Sequence, residues 1–363
     1  MSSTVLKTRS WGVWRSLLVP AVVLLAVGCV VLVSPPAPSA HEVLAVAQKP
    51  KRCPSGSAAA FTFAGFVCLK PGQKCTRGWE TEYHAAGFHC HTGRLTRPKA
   101  AHVMRKVDVG GFRLAISCQG SGTPTVVLES GSRSSGGAWM LLQPRVAKTA
   151  RVCSYDRAGL GYSDPRPRPG RVPAARAVTE LHKLLAGAGI SPPYVLGGWS
   201  LGGFLIRLYT MRYPAEVLGL VSVDSGSFRP PREPLPPQKP SALPDSFERE
   251  FGLEERADSF DLGARPLVVL YARRPAYNYR LSPQELIGFK RLARRSRSSI
   301  LVRADDASHG IQLDAPGLTA EAFRLVIGAV RSRLPLPACA ATKLARMGGT
   351  CVDPTSPRRE STR

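Results

Sequence analysis

From residue 106 onward, short apolar β-branched runs alternate with longer stretches whose apolar residues recur every three or four positions. Val107–Val109 and Phe112–Ser117, parted by Gly110 and Gly111, predict an opening hairpin. Thr125–Glu129 and Arg151–Tyr155 predict strands on either side of a helix over 138–148 built around Trp139 and Leu142. Val178, Leu181 and Leu185 mark one face of a helix that ends near Gly187. Tyr194–Gly197 predicts the next strand, and Leu201–Tyr213 the next helix, with Leu205, Leu208 and Tyr209 turned inward. Val217–Val223, Pro266–Tyr271 and Ile300–Arg303 predict the remaining strands. Between the last two, a helix from Pro283 sets Leu286, Phe289 and Leu292 inward and Lys290, Arg291, Arg294 and Arg295 outward. A closing helix carries Phe323, Val326, Ile327 and Val330. Alternation of this kind predicts an α/β fold, a doubly wound sheet occupying 101–337.

Three segments do not fit that alternation. In 1–47, Lys7, Arg9 and Arg15 precede an uncharged apolar run from Ser16 to Val33, and small residues follow. This predicts an export signal, cleaved after Ala40 or before Gln48, with an uncleaved membrane anchor as the rival. Beyond that run lie Cys53, Cys68, Cys75, Cys90, Cys118, Cys153, Cys339 and Cys351. An even set in an exported chain predicts disulfides.

Within 48–100, Cys53, Gly56, Ala64, Gly65, Phe66 and Cys68 recur 22 residues later as Cys75, Gly78, Ala86, Gly87, Phe88 and Cys90. Two copies of a small looped unit are expected, most simply closed by Cys53–Cys68 and Cys75–Cys90, with cross-pairing between copies as the alternative. Each bridge of that span stabilises by about 3 kcal/mol in the loop-entropy picture. A module this short cannot build a core without them. His84, His89 and His91 stand near these cysteines, but the spacing fits no standard zinc signature. In 338–363, Cys339 and Cys351 predict a short closed loop in a tail.

Charge then narrows the partners. Lys and Arg number 50 against 25 Asp and Glu, a net charge of +25. Such a surface attracts anionic lipid headgroups or wall polymers. No helix-turn-helix, finger or RNA-binding signature accompanies the charge, so nucleic acid is not the expected partner.

The densest chemistry lies where the strand at Tyr194 meets Gly198-Trp199-Ser200-Leu201-Gly202. Gly-x-Ser-x-Gly between a strand and a helix is the spacing of a sharp turn that holds its Ser in a strained backbone conformation, hydroxyl outward. Ahead of it stands Asp156-Arg157-Ala158-Gly159-Leu160-Gly161-Tyr162-Ser163, and behind it Val221-Ser222-Val223-Asp224-Ser225. In that order the three motifs resemble the α/β-hydrolase fold superfamily, most closely bacterial serine hydrolases of that fold. The resemblance runs over about residues 105–335. It implies a mostly parallel eight-stranded sheet, with a lid between the sixth and seventh strands. Here that lid is a short, proline-rich segment over 225–265 with one helix near 247–256. It also implies that the strands carrying Cys118 and Cys153 are neighbours, which allows a cross-strand bridge.

Acyl transfer needs a nucleophile, a base, an acid to orient the base, and donors for the oxyanion. In this frame Ser200 is the nucleophile. His309 is the base, because of the seven histidines it alone follows the last strand. Many relatives place the acid after the seventh strand, but 271–279 holds no carboxylate. Asp224, at the end of the sixth strand, is therefore the expected acid, Asp305 and Asp306 lying too near His309 along the chain. The backbone N–H groups of Leu201 and Ser132 are the expected oxyanion donors. Relatives commonly carry His-Gly where this chain has Ser130-Gly131. Trp199 is expected to narrow the acyl pocket or to pack beneath Ser200.

A serine at the turn excludes the aspartate-dependent dehalogenase and epoxide-hydrolase chemistries, and acyl transfer requires no cofactor or metal. The expectation is an exported serine hydrolase, secreted or membrane-anchored, that cleaves small-molecule carboxylic esters, lipidic ones included. A serine peptidase or amidase is the near alternative. A basic cell-surface binding protein on a hydrolase scaffold is the distant one.

Overall fold

The computed structural model describes residues 58–62, 65–75, 83, 88–91, 93–96, 104–168, 172–226, 247–248, 260–273 and 281–356. The predicted signal over 1–47, Cys53, His84, the side chains of Cys90, His89 and His91, and most of the predicted lid lie outside the described residues.

In the Cys-rich module, β1 (Ala58–Thr62) and β2 (Gly65–Leu69) form one antiparallel hairpin, and β3 (His89–His91) and β4 (Arg94–Thr96) another. Cys68 and Cys75 are both disulfide-bonded. The pairings predicted for them fall on side chains outside the described residues.

The strands that follow are β5 (Arg105–Asp108), β6 (Arg113–Gln119), β7 (Thr125–Glu129), β8 (Val152–Asp156), β9 (Val172–Pro173), β10 (Tyr194–Trp199) and β11 (Val217–Val223). After them come β12 (Phe247–Glu248), β13 (Leu267–Ala272), β14 (Ser299–Ala304) and β15 (Gly349–Val352). All but β9 and β12, which pair with each other, build one sheet in the order β15-β14-β13-β11-β10-β7-β8-β6-β5. β6 runs antiparallel to both neighbours and β15 antiparallel to β14; the other pairs are parallel.

The eight strands implied by the resemblance become nine, because the tail returns to the sheet edge. Cys351 of β15 is bonded to Cys339, and Gly349 sits where a Cβ would press on Val302 at 2.7 Å. Cys118 and Cys153 face each other directly across β6 and β8 and are bonded.

Side chains alternate across the sheet with the period of two that a strand imposes. Val126, Leu128, Val195, Val221, Val268, Leu270, Ile300 and Val302 pack on one side with α6 (Pro316–Ser332), through Phe323, Val326 and Ile327. Val127, Leu196, Leu220, Val269, Tyr271 and Leu301 pack on the other, under α2 (Ala174–Gly187), α3 (Leu201–Arg212) and α4 (Pro283–Ala293). Burial on both faces explains why these strands read as continuous apolar runs.

Three local expectations change. The helix predicted over 138–148 is a 3-10 turn, Gly136–Trp139, and then a single α turn, α1 (Gln143–Val146). Pro144, which lacks an N–H, sits in the first turn of α1 and cannot continue a helix from upstream. Phe247–Glu248, predicted to open a lid helix, pairs in parallel with Val172–Pro173 instead. Lys290, predicted to face water, is buried and donates to Ser356 O at 3.0 Å. Among the described residues no helix is long and apolar enough to cross a membrane.

The strand order reverses at β7, whose chain leaves for β8 on one side while β10 lies on the other. Loops diverge at such a point and leave a crevice beyond the strand ends. The turn after β10 and the loop after β7 both open there.

Candidate active site

Ser200 caps β10 and starts α3 with φ 54° and ψ −122°, a conformation that non-glycine residues rarely hold. Close approach sustains it. At Gly202 a Cβ would lie 2.2 Å from Glu129 O and 2.7 Å from Ser130 O, so the first turn of α3 rests directly on the end of β7. At Gly131 a Cβ would lie 2.9 Å from the Trp199 ring and 3.2 Å from Ser200 Cβ. The Leu201 amide is the first of α3, where an N–H has no partner within the helix and the helix dipole is positive.

Asp224 follows β11 with φ 45°, and its amide donates to Leu270 O at 2.8 Å. Its buried carboxylate is held at both ends: Oδ1 accepts from the Ala272 amide at 2.9 Å, and Oδ2 lies 2.6 Å from His309 Nδ1. With the carboxylate as acceptor, Nδ1 carries the proton and Nε2 is left as a base.

The loop that carries His309 is clipped at several points. Asp314, in the short helix α5 (Ile311–Asp314), accepts from Ser308 N at 2.8 Å and Ser308 Oγ at 2.5 Å. Trp199 Nε1 donates to His309 O at 2.7 Å, and the two rings lie 5.3 Å apart. Of the two roles expected of Trp199, packing beneath the site is the one this contact supports, since the indole is buried and tied to the histidine loop. Asp305 is fixed by Arg303 Nε at 2.7 Å and Thr350 Oγ1 at 2.6 Å, so the ninth strand also braces this loop.

Sequence reasoning overlooked a buried cluster beneath the site. Glu129 and Arg157 form an ion pair at 2.5 Å with both side chains almost fully buried, and Tyr155 donates to the same carboxylate. Burial, reinforced by the Glu129 charge, pushes the Tyr155 hydroxyl well above its usual range. A glutamate ending an otherwise apolar strand was the available signal.

Asp156, next along, accepts from the Gly136 amide at 2.7 Å and the Tyr162 amide at 2.8 Å, pinning two loops at the crevice. Burial outweighs these donors and pushes its carboxyl up to about 6. From about pH 4 to about pH 6 the folded chain therefore holds a proton that the unfolded chain releases. The contribution of Asp156 to stability should fall as pH rises through that window and level off above it, by ~3 kcal/mol in total. Urea denaturation of wild type and Asp156→Asn at several pH values would measure this. A wild-type advantage that grows from pH 4.5 to pH 7 would contradict it.

A family model described as "alpha/beta hydrolase fold" matches residues 124–310. An AB hydrolase superfamily protein of Gibberella zeae is 31% identical over 105 residues, 28% of this chain and 32% of that protein. The uncharacterized protein YqjL of Bacillus subtilis is 27% identical over 207 residues, 54% of this chain and 81% of its own. The chain spans only 20%, 37% and 16% of the first curated relatives it matches. Among solved structures, a membrane phospholipase A described as a bacterial virulence factor superposes with a TM-score of 0.50 at 18% identity, covering 69% of this chain and 88% of that one. At that identity the likeness concerns the fold.

Proposed function

The chain belongs to the α/β-hydrolase fold family; from that premise we propose that it is a hydrolase, and specifically an exported serine hydrolase of carboxylic esters. One observation carries the reading. A serine in a strained strand-to-helix turn directly follows Trp199, whose indole donates to the main chain of His309, and that histidine's Nδ1 lies 2.6 Å from a buried carboxylate.

In this mechanism His309 Nε2 takes the proton of Ser200 as its Oγ attacks the acyl carbon. The oxyanion is met by the Leu201 and Ser132 amides. The alcohol leaves with the proton from His309, and water, activated by the same Nε2, cleaves the acyl-enzyme. Asp224 keeps the proton on Nδ1 and stabilises the imidazolium. Export, to a secreted or membrane-anchored state, is inferred from the basic start and apolar run before Val33, and disulfides suit an oxidising compartment. The net charge of +25 favours work near anionic lipid or wall surfaces.

A fluorophosphonate probe should label wild-type protein and leave Ser200→Ala unlabelled. Absence of Ser200-dependent labelling would sink the reading. Matched p-nitrophenyl esters and anilides would then show whether esters are preferred, and over which acyl lengths.

A further inference from the structure

The loop leaving β7 is gripped from beneath by one buried side chain. Arg157 Nη1 donates to Glu129 Oε1 at 2.5 Å and to Ser130 O at 2.7 Å, while Nη2 donates to Gly131 O at 2.5 Å. A planar guanidinium thus binds a carboxylate and two successive carbonyls at once, a fork that an ammonium cannot reproduce. Gly131 O also accepts from the Ser134 amide at 3.2 Å, closing the turn. Tyr155 donates to the other oxygen of Glu129 and, among the described residues, makes no contact with the loop carbonyls.

A trans peptide points its C=O and its N–H in opposite directions. Among the described residues the cis bonds are Thr123-Pro124 and Pro192-Pro193, so the Gly131–Ser132 peptide is trans. With Gly131 O drawn down onto Arg157, the Ser132 N–H is turned to the opposite side. Among the described residues that N–H has no acceptor. A Cβ at Gly131 would lie 3.2 Å from Ser200 Cβ, so this loop runs close to the turn that carries the serine.

We propose that Arg157 is a positioning residue for acyl transfer: by drawing in the carbonyls of Ser130 and Gly131, it aims the Ser132 N–H at the oxygen that gains charge when Ser200 attacks. The proposal rests on the reading of Ser200 as nucleophile. Because Glu129 neutralises the guanidinium, orientation rather than net charge is what Arg157 contributes.

Arg157→Lys keeps a cation for Glu129 but loses the fork. It should lower kcat on a p-nitrophenyl ester about 100-fold with KM within about threefold. Affinity for a boronic acid transition-state analogue should fall in step with kcat/KM, and the pH at which kcat rises should not move. Tyr155→Phe removes a contact to the same buried Glu129 but none to the loop, and should keep kcat within about threefold of wild type. The proposal fails if Arg157→Lys retains wild-type kcat, if analogue affinity stays put while kcat falls, or if Tyr155→Phe loses as much. Should Arg157→Lys not fold, the neutral double variant Glu129→Gln with Arg157→Gln carries the same comparison. Fluorophosphonate labelling separates the two levels. An unlabelled wild type overturns the serine-hydrolase reading and this proposal together, whereas a labelled wild type with an unimpaired Arg157→Lys overturns only this proposal.

Discussion

Replacing Asp224 by Asn is expected to lower kcat for ester hydrolysis about 10⁴-fold while KM and the melting temperature change little. The reason is which oxygen is already taken. Oδ1 accepts from the Ala272 amide at 2.9 Å, so an asparagine keeps its oxygen there and presents its NH₂ to His309 Nδ1. Nδ1 must then accept, and the ring proton moves to Nε2, the atom that has to receive the Ser200 proton. The side chain keeps its volume and burial, so the fold survives while the base is in the wrong tautomer. Steady-state kinetics and a melting curve on the variant test this. Near-wild-type kcat would mean that another group orients His309.

Gly202→Ala should do comparable damage through the backbone. The added Cβ would meet Glu129 O at 2.2 Å and Ser130 O at 2.7 Å, two main-chain oxygens that cannot rotate aside. Either α3 lifts off β7 or the loop with Ser130 and Gly131 shifts, and both moves separate the Leu201 and Ser132 amides. Overpacking of this kind costs about 3 kcal/mol, and activity should fall at least about 100-fold through the lost oxyanion geometry. Gly328→Ala in α6 is the matched control, since nothing lies within 4 Å of a Cβ there. It should be neutral or stabilise by up to about 1 kcal/mol, because alanine is the better helix former. Thermal denaturation with the ester assay on both variants tests the pair. A Gly202→Ala protein as stable and active as wild type would show that α3 does not need this contact.

Other features split according to the range of the interaction involved. The core was legible because it depends on local spacing. The apolar runs at Val217–Val223 and Leu267–Ala272 are strands buried on both faces, and Leu181, Leu185, Leu205 and Leu208 all face the sheet. Lys290 escaped the same logic: its helical position reads as polar, and its partner, Ser356, comes from 66 residues away. The tail is similar. Its two cysteines predicted a closed loop, but nothing in Gly349–Val352 announces pairing with β14, since an edge strand is chosen by the edge it meets.

Read alone, the sequence determined the class of fold and the strained turn at Ser200, and it singled out as candidates the histidine after the strand at Ile300–Arg303 and, through the missing carboxylate over 271–279, the acid Asp224. Each follows from residue type and order, which the chain carries wherever it goes. Tertiary structure alone decided the contacts that set atoms rather than elements. It bonded Asp224 Oδ2 to His309 Nδ1, tied Trp199 to the histidine loop and closed Arg157 on two carbonyls of the loop at Gly131. Those partners lie 26 to 110 residues apart, and a hydrogen bond across such a span depends on where the sheet places its strand ends.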